Sequence, residues 1–479
     1  MIELAAPAVL RQLGASGVTL LTGERPPEVW LRGFRRAIHP ARVRVVVDPV
    51  LGYTEHRLAP GKVRAALDRG LLGPGVVWAH NLALGRNLAL ARALATACAA
   101  RGLPLVAHHH DWWCDRRWAR WPVIRRTGFP SQRAVAAAIF PTAGRVAHVA
   151  INLSDAAILQ QHLGAQAHWL PNLIDRPVPR RRRPPPGAPI WLLPCRVLRR
   201  KNLAEALLLT RWLRPEATLV VTGGADETDE QPYAATLAAA ARAHGWPLQL
   251  GALADQQARG TIADFFARAE VMVCTSVQEG FGLPQLEAAA AGCPAILRRV
   301  PLVAADLHRF GFRFPQLYDD LWIAPALFDW PAEVRRQTRA FAAWRALLPR
   351  SVRALAGPPA LLTMQDRPQP IAFSRLTLAA QLEVLRQPPD ASWSRCAPLN
   401  PFLLPWRERA ASGTLAPTRW PRAAEAHLSS ANYARRFARI VAAGAAPPPE
   451  AVCGLAAQGD FIRARLASTE CFPLLWSPR

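Results

Sequence analysis

Glu279 and Glu287 bracket the run Gly280-Phe281-Gly282-Leu283-Pro284 within the segment Val271–Leu297, VMVCTSVQEGFGLPQLEAAAAGCPAIL. The apolar start reads as a buried strand, the two glycines permit a close backbone turn, and Pro284 suits the first position of a helix. Gly292 ends that helix and Pro294 stops its continuation. A helix opening of this kind presents free N–H groups and a partial positive charge to an anion. The two carboxylates, one at the turn and one about a helical turn inside, can accept hydrogen bonds from the hydroxyls of a sugar and a ribose. An ordinary strand-turn-helix with solvated glutamates is the alternative. The G-F-G-x-P between the acids and the strand in front of them favour a ligand site.

Other groups have chemistry of their own. Arg196 and Lys201 lie in Cys195-Arg-Val-Leu-Arg-Arg-Lys-Asn202, and Thr222-Gly223-Gly224 ends another apolar run. His108-His109-His110-Asp111, with Cys114 and Asp115 nearby, contains zinc-ligand types. Neighbours on a strand point to opposite faces, so His108 and His110 share a face that His109 does not. No metal is expected, and His110 is a candidate for facing substrate, with His80-Asn81 a further candidate in the same region. Trp112–Trp121 interleaves tryptophans with arginines. Trp113 and Trp118 are candidates for acceptor stacking, against a packing loop as the plainer reading.

These residues need elements to hold them. Arg42–Asp48, Gly75–His80, Leu103–His108 and Val146–Ile151 read as buried parallel strands, with helices over 87–101 and 154–163. After Arg176–Pro189, whose four consecutive arginines followed by three prolines mark a linker, a second series gives strands Ile190–Leu193, Thr218–Thr222, Leu248–Leu250, Val271–Cys274 and Ala295–Leu297. Helices are expected near 202–213, 234–244, 261–269 and 284–291. Further helices are expected near 332–347 and 375–387, in an otherwise irregular C-terminal region rich in Pro and Trp. Strand-helix alternation predicts an α/β fold of two doubly wound, Rossmann-like domains, residues 1–175 and 176–345, facing a cleft. Residues 346–479 are expected as a mostly helical extension.

Composition narrows the class. With 51% hydrophobic and 19% charged residues over 479, the chain is globular. Its eight cysteines form no C-x-x-C, which argues for reduced thiols in a cytosolic protein. No signal peptide or membrane span is expected. The net charge of +25 is spread along the chain, so it favours anionic partners, nucleotides or a membrane surface over nucleic acid. Lys62 and Lys201 are the only lysines, and a surviving lysine among arginines suggests a need for a compact ammonium.

The segment 271–297 resembles the signature of the family 4 retaining glycosyltransferases of the GT-B fold. Other parts of the chain resemble that family in order. Cys195–Asn202 is similar to its G-R-x-x-x-x-K-[GN] element, with Cys195 in place of Gly, and Leu170-Pro-Asn172-Leu-Ile-Asp175 to its I-P-N-G-V-D, with Leu173 in place of Gly. Thr222-Gly223-Gly224 is similar to its G-x-G strand end, Phe265–Ser276 to its Y-x-x-A-D-V-F-V-x-P-S run, and His110-Asp111 to its T-x-H-D. Gly14-Ala-Ser-Gly17 is an approximate match to its N-terminal glycine-rich loop.

The resemblance implies a retaining transfer of sugar from a nucleotide-diphosphate sugar, with no cofactor and no metal. It assigns Arg196 and Lys201 to the leaving diphosphate, Glu287 to the ribose, and Glu279 with Gly280, Phe281 and Gly282 to the sugar. His110 would line the sugar, and Thr222, Gly223, Asn172 and Leu250 would complete the donor site. The acceptor is expected to be anionic or at a membrane surface, the enzyme being cytoplasmic or peripheral at the inner membrane. A sugar-nucleotide epimerase and a basic nucleic-acid-binding protein with a degenerate transferase fold are the alternatives. The paired glutamates with Arg196 and Lys201 favour transfer.

Overall fold

The computed structural model describes residues 2–115, 118–141, 143–174, 188–225, 228–254, 260–364, 366–443 and 454–476. Most of the Arg176–Pro189 linker, Asp175, and Arg116 and Arg117 of the tryptophan loop lie outside these residues. The chain forms two compact units. The first comprises Met1–Asp175, Leu347–Val352 and Ala423–Arg465; the second comprises Arg176–Ala346, Arg353–Arg422 and Leu466–Arg479.

In the first unit, strands β1 (Gly17–Thr22) and β2 (Arg42–Val47) make a parallel pair. A second parallel sheet runs β3 (Val77–His80), β4 (Leu105–His109), β5 (Val146–Ala150), β6 (Ala167–Trp169), in that order. β4 and β5 are buried throughout, His108, His109 and His148 included, as strands of a covered parallel sheet should be. β1 was not expected as a strand. Its alternating exposure hides it from a search for unbroken apolar runs. The C-terminal part of the unit closes its core: Tyr433, Phe437 and Ile440 on the helix Ser430–Ala443 pack with Ala5, Ala8 and Val9 of the first helix and with Val106 and Val149 of the sheet.

The second unit holds a six-stranded sheet of β7 (Ile190–Leu193), β8 (Thr218–Val221), β9 (Leu248–Gln249), β10 (Val271–Cys274), β11 (Ala295–Arg298) and β12 (Gln316–Tyr318). Every pairing is parallel. The spatial order is β12-β11-β10-β7-β8-β9. Counted from β7, this is the 3-2-1-4-5-6 order of a Rossmann sheet. A two-stranded antiparallel ladder, β13 (Trp322–Ile323) with β14 (Ile371–Ala372), lies outside it. The α/β class read from the sequence is therefore the observed one. Strand order reverses between β7 and β10, so the crevice beyond their C-terminal ends is the place for a ligand. The helix Leu203–Leu213, buried along most of its length, and the helix Leu283–Ala291 start from the loops that follow these two strands.

Candidate functional site

The loop after β7 and the loop after β10 are joined by backbone. Thr275 Oγ1 lies 3.0 Å from the carbonyl oxygens of both Lys201 and Asn202, to which it donates, and Val277 N–H donates to Arg200 O at 2.8 Å. Asn202 adopts the left-handed conformation, φ 49°, between the short turn Arg199–Lys201 and the helix that follows. Its side chain is fixed in place, donating to Glu205 at 2.8 Å and accepting from Gln381 at 3.2 Å.

This geometry delivers Lys201 Nζ onto Glu279 Oε1 as a buried ion pair. Arg200 Nη1 donates to Glu279 Oε2 at 3.0 Å and to Gln278 O at 3.1 Å. Burial alone would raise the Glu279 carboxyl, but Lys201 and Arg200 outweigh it and hold the group at about 2. Glu279 is thus an anion at any working pH, and at 8% exposure its packing depends on its cations. The sequence reading gave Lys201 to a phosphate and Glu279 to a sugar; the structure brings the two into direct contact. Arg200 had no role in that reading. Its signal was its place beside Lys201, on a turn facing the second strand loop.

A second backbone contact supports Arg196, which is exposed. Gly223 N–H donates to Cys195 O at 2.9 Å and Val197 N–H to Gly224 O at 3.0 Å. A Cβ on Gly223 would lie 2.9 Å from Arg196 Cα and 3.1 Å from Cys195 O, so the approach requires glycine. Thr222 is buried and Leu250 packs against the core of this unit. Burial pushes the Cys195 thiol up to about 12, so it is a packing group and no nucleophile.

On the other flank, Gly282 (φ 84°) precedes the helix Leu283–Ala291 with no side-chain cap. A Cβ there would meet Val303 Cγ1 at 2.6 Å. Gly280 is half-buried and Phe281 buried, and Glu287 is half-buried within the first turns of the helix. Arg196, Arg200, Lys201, Thr222, Gly223, Glu279, Gly280, Phe281, Gly282 and Glu287 therefore all belong to the loops and helix end around the strand reversal of one unit. Chemically, they can bind a diphosphate through cations and backbone N–H groups, and hydroxyls through carboxylates.

The remaining candidates lie in the first unit. His110 directly follows β4. His110 Nε2 lies 3.0 Å from His80 Nδ1. Burial holds His110 at about 4, although Asp111 acts the other way, and burial with the His110 charge holds His80 at about 3. Both rings are neutral at pH 7. The Nδ1 of His108 accepts from Trp78 Nε1 at 3.2 Å. Cys114, considered with the histidines for metal, is buried and does not join them. Asn172 is half-buried, with its Oδ1 unpartnered among the described residues.

The acceptor platform needs correction. Trp113 and Trp118 are 1% and 2% exposed. Their rings meet edge to face at 5.5 Å, and Trp113 Nε1 donates to Gln458 Oε1 at 3.1 Å. A ring packed on both faces has no surface to offer a sugar, so the loop serves the core of the first unit.

Residues 178–306 match the family model for glycosyl transferases group 1. Among characterised proteins, mannosylglucosyl-3-phosphoglycerate synthase of Petrotoga mobilis is 26% identical over 178 residues, which are 33% of this chain and 34% of that protein. The chain thus aligns with about a third of that relative's length. Solved structures that resemble it include Anabaena HepE in complex with UDP and glucose, at 13% identity and a TM-score of 0.45, covering 89% of this chain and 99% of that one. A glycosyltransferase from Rickettsia africae shows 11% identity and a TM-score of 0.43, covering 92% of each chain. The match to the glycosyl transferases group 1 model, residues 178–306, falls on the Rossmann sheet of the second unit and takes in both loops at its strand reversal.

Proposed function

We propose that this protein is a glycosyltransferase that moves a sugar from a nucleotide-diphosphate sugar to an acceptor with retention of configuration and without a metal at the donor phosphates. The observation that carries the reading is the buried Lys201–Glu279 pair at the strand reversal. An ammonium has three N–H donors, and the one directed at Glu279 leaves others for a phosphate. As the sugar–phosphate bond breaks, charge grows on the departing diphosphate, and cations already in position stabilise it without reorganising. Lys201 and Arg196 have this role. Arg200 keeps Glu279 ionised and oriented, and Glu279 with the 280–282 backbone holds the sugar. Glu287 takes the ribose hydroxyls, with Thr222, Gly223 and Leu250 around the nucleotide.

The retaining outcome and the absence of a metal come from the resemblance of the second-unit motifs. An anionic acceptor fits the net charge of +25, and the name of the Petrotoga relative contains a phosphoglycerate. No helix among the described residues is long and apolar enough to cross a membrane, so an acceptor at a bilayer would be met from its surface. A thermal-shift panel of UDP, GDP and ADP with their sugars tests the donor assignment. A ligand at 100 times its Kd raises stability by about 2.7 kcal/mol; a flat panel counts against the reading.

A further inference from the structure

The first unit carries a cluster of three histidines, His80, His108 and His110, apart from the residues at the strand reversal of the second unit. β3 and β4 run parallel with His80 opposite His108, and His110 lies two residues beyond His108, so the three imidazoles leave one face at the strand ends. One ring nitrogen from each lies within 4.8 Å of the others. The backbone secures the arrangement. Asn81, left-handed at φ 58°, turns the chain directly after His80, and its Oδ1 accepts from the N–H of His110 at 2.8 Å and of Asp111 at 3.2 Å. The end of β3 is thereby tied to the end of β4. Nε2 of His80 is buried with no hydrogen-bond partner among the described residues, a condition that calls for an explanation in a native fold.

We propose that His80, His108 and His110 form a three-imidazole site for a first-row divalent transition ion of the zinc, cobalt and nickel class, with room in its coordination for a further small ligand. Imidazole suits these ions, whereas magnesium and calcium take oxygen. At metal–nitrogen distances of ~2.0–2.1 Å, tetrahedral ligand atoms sit about 3.3 Å apart, so ring rotations close a set already within 4.8 Å. Two existing hydrogen bonds oppose the ion: the one between His80 Nδ1 and His110 Nε2, which ligation through either of these atoms breaks, and one from Trp78. Trp78 Nε1–H donates to His108 Nδ1 at 3.2 Å. If Nδ1 ligates, its lone pair must leave the indole; if Nε2 ligates, Nδ1 carries the proton and cannot accept. On either route Trp78 competes with metal. The site draws on neither Lys201 nor Glu279 and does not rest on the transferase reading.

The test is titration of the full chain with Co²⁺ followed by visible absorption, and with Zn²⁺ by calorimetry. One ion per chain is expected, with the ligand-field bands of a nitrogen-rich tetrahedral cobalt site that zinc abolishes. His80→Phe and His110→Gln should each weaken binding by about 100-fold or more, and Trp78→Phe should tighten it by about 10-fold, the scale of an outer-shell contact. Circular dichroism checks that each variant folds. No stoichiometric uptake by the wild-type chain, or equal uptake by folded histidine variants, overturns the site. Should the histidine variants fail to fold, unchanged or weaker binding by Trp78→Phe overturns it.

Discussion

Lys201 Nζ meets Glu279 Oε1 across two loops that leave β7 and β10, the strands between which the sheet order reverses, and both side chains are more than nine-tenths buried. The same contact positions a cation for a phosphate and fixes the carboxylate proposed to hold the sugar. Each residue therefore bears on both stability and activity.

Removing Glu279 separates the two effects. Were it purely a ligand group, Glu279→Ala would leave the fold intact. Because Glu279→Ala strands Lys201 and Arg200 beside a low-dielectric void, it should instead cost about 3–5 kcal/mol of stability. Glu279→Gln keeps the shape and an acceptor oxygen and should cost less, while turnover is lost in both. Urea denaturation beside a transfer assay measures the pair of outcomes.

Replacing Lys201 by Arg keeps the charge and changes its shape. A planar fork cannot reproduce a compact ammonium between Glu279 and a departing phosphate. The expected loss is about 10²–10³ in kcat, the scale seen when one preorganised donor is removed. Steady-state kinetics showing kcat near wild type would remove Lys201 from the leaving-group role.

Gly223→Ala tests the backbone approach. The new Cβ would sit 2.9 Å from Arg196 Cα, so the Arg196 loop must move. Nucleotide affinity should fall by at least about tenfold, which corresponds to ~1.4 kcal/mol, with a smaller change in thermal stability. Unchanged affinity would mean that Arg196 does not contact the donor.

Acid stability has a sign that the structure determines. His110 is held neutral to about pH 4, whereas the unfolded chain protonates near 6.5; its contribution is therefore complete above 6.5 and is lost as pH falls toward 4. Glu279, held at about 2 against 4.5 when unfolded, contributes above 4.5 and loses that contribution as pH falls toward 2. His110→Gln should flatten the stability curve between pH 6.5 and 4 by up to about 1.4 kcal/mol per pH unit. Chemical denaturation at a series of pH values reads this directly.

The tryptophan loop leads to a stability prediction. Trp113→Ala should cost about 3–5 kcal/mol through the cavity it leaves, and a folded variant altered only in acceptor KM would restore the stacking role.

The sheet of the second unit was legible because its central strands are buried and spell unbroken apolar runs, IWLL in β7 and VMVC in β10. β1, with Gly17 and Thr19 exposed, and the two- and three-residue strands late in the second unit gave no such run. Lys201 and Glu279 were legible one at a time, through motif and residue type. Their contact was not, because 78 residues separate them and only the parallel pairing of β7 with β10 brings their loops together. Burial of Trp113 was equally hidden, since its partner Gln458 comes 345 residues later. His80 joins His108 through strand register, which neither residue's neighbours encode.

Calorimetric titration of nucleoside diphosphates into the wild-type chain and into Lys201→Gln tests the account most directly. It predicts one diphosphate bound stoichiometrically by the wild type, unaffected by EDTA, and bound at least about 30-fold more weakly, a loss of ~2 kcal/mol, by a folded Lys201→Gln. Equal affinity in the two proteins, or a requirement for added metal, would contradict it.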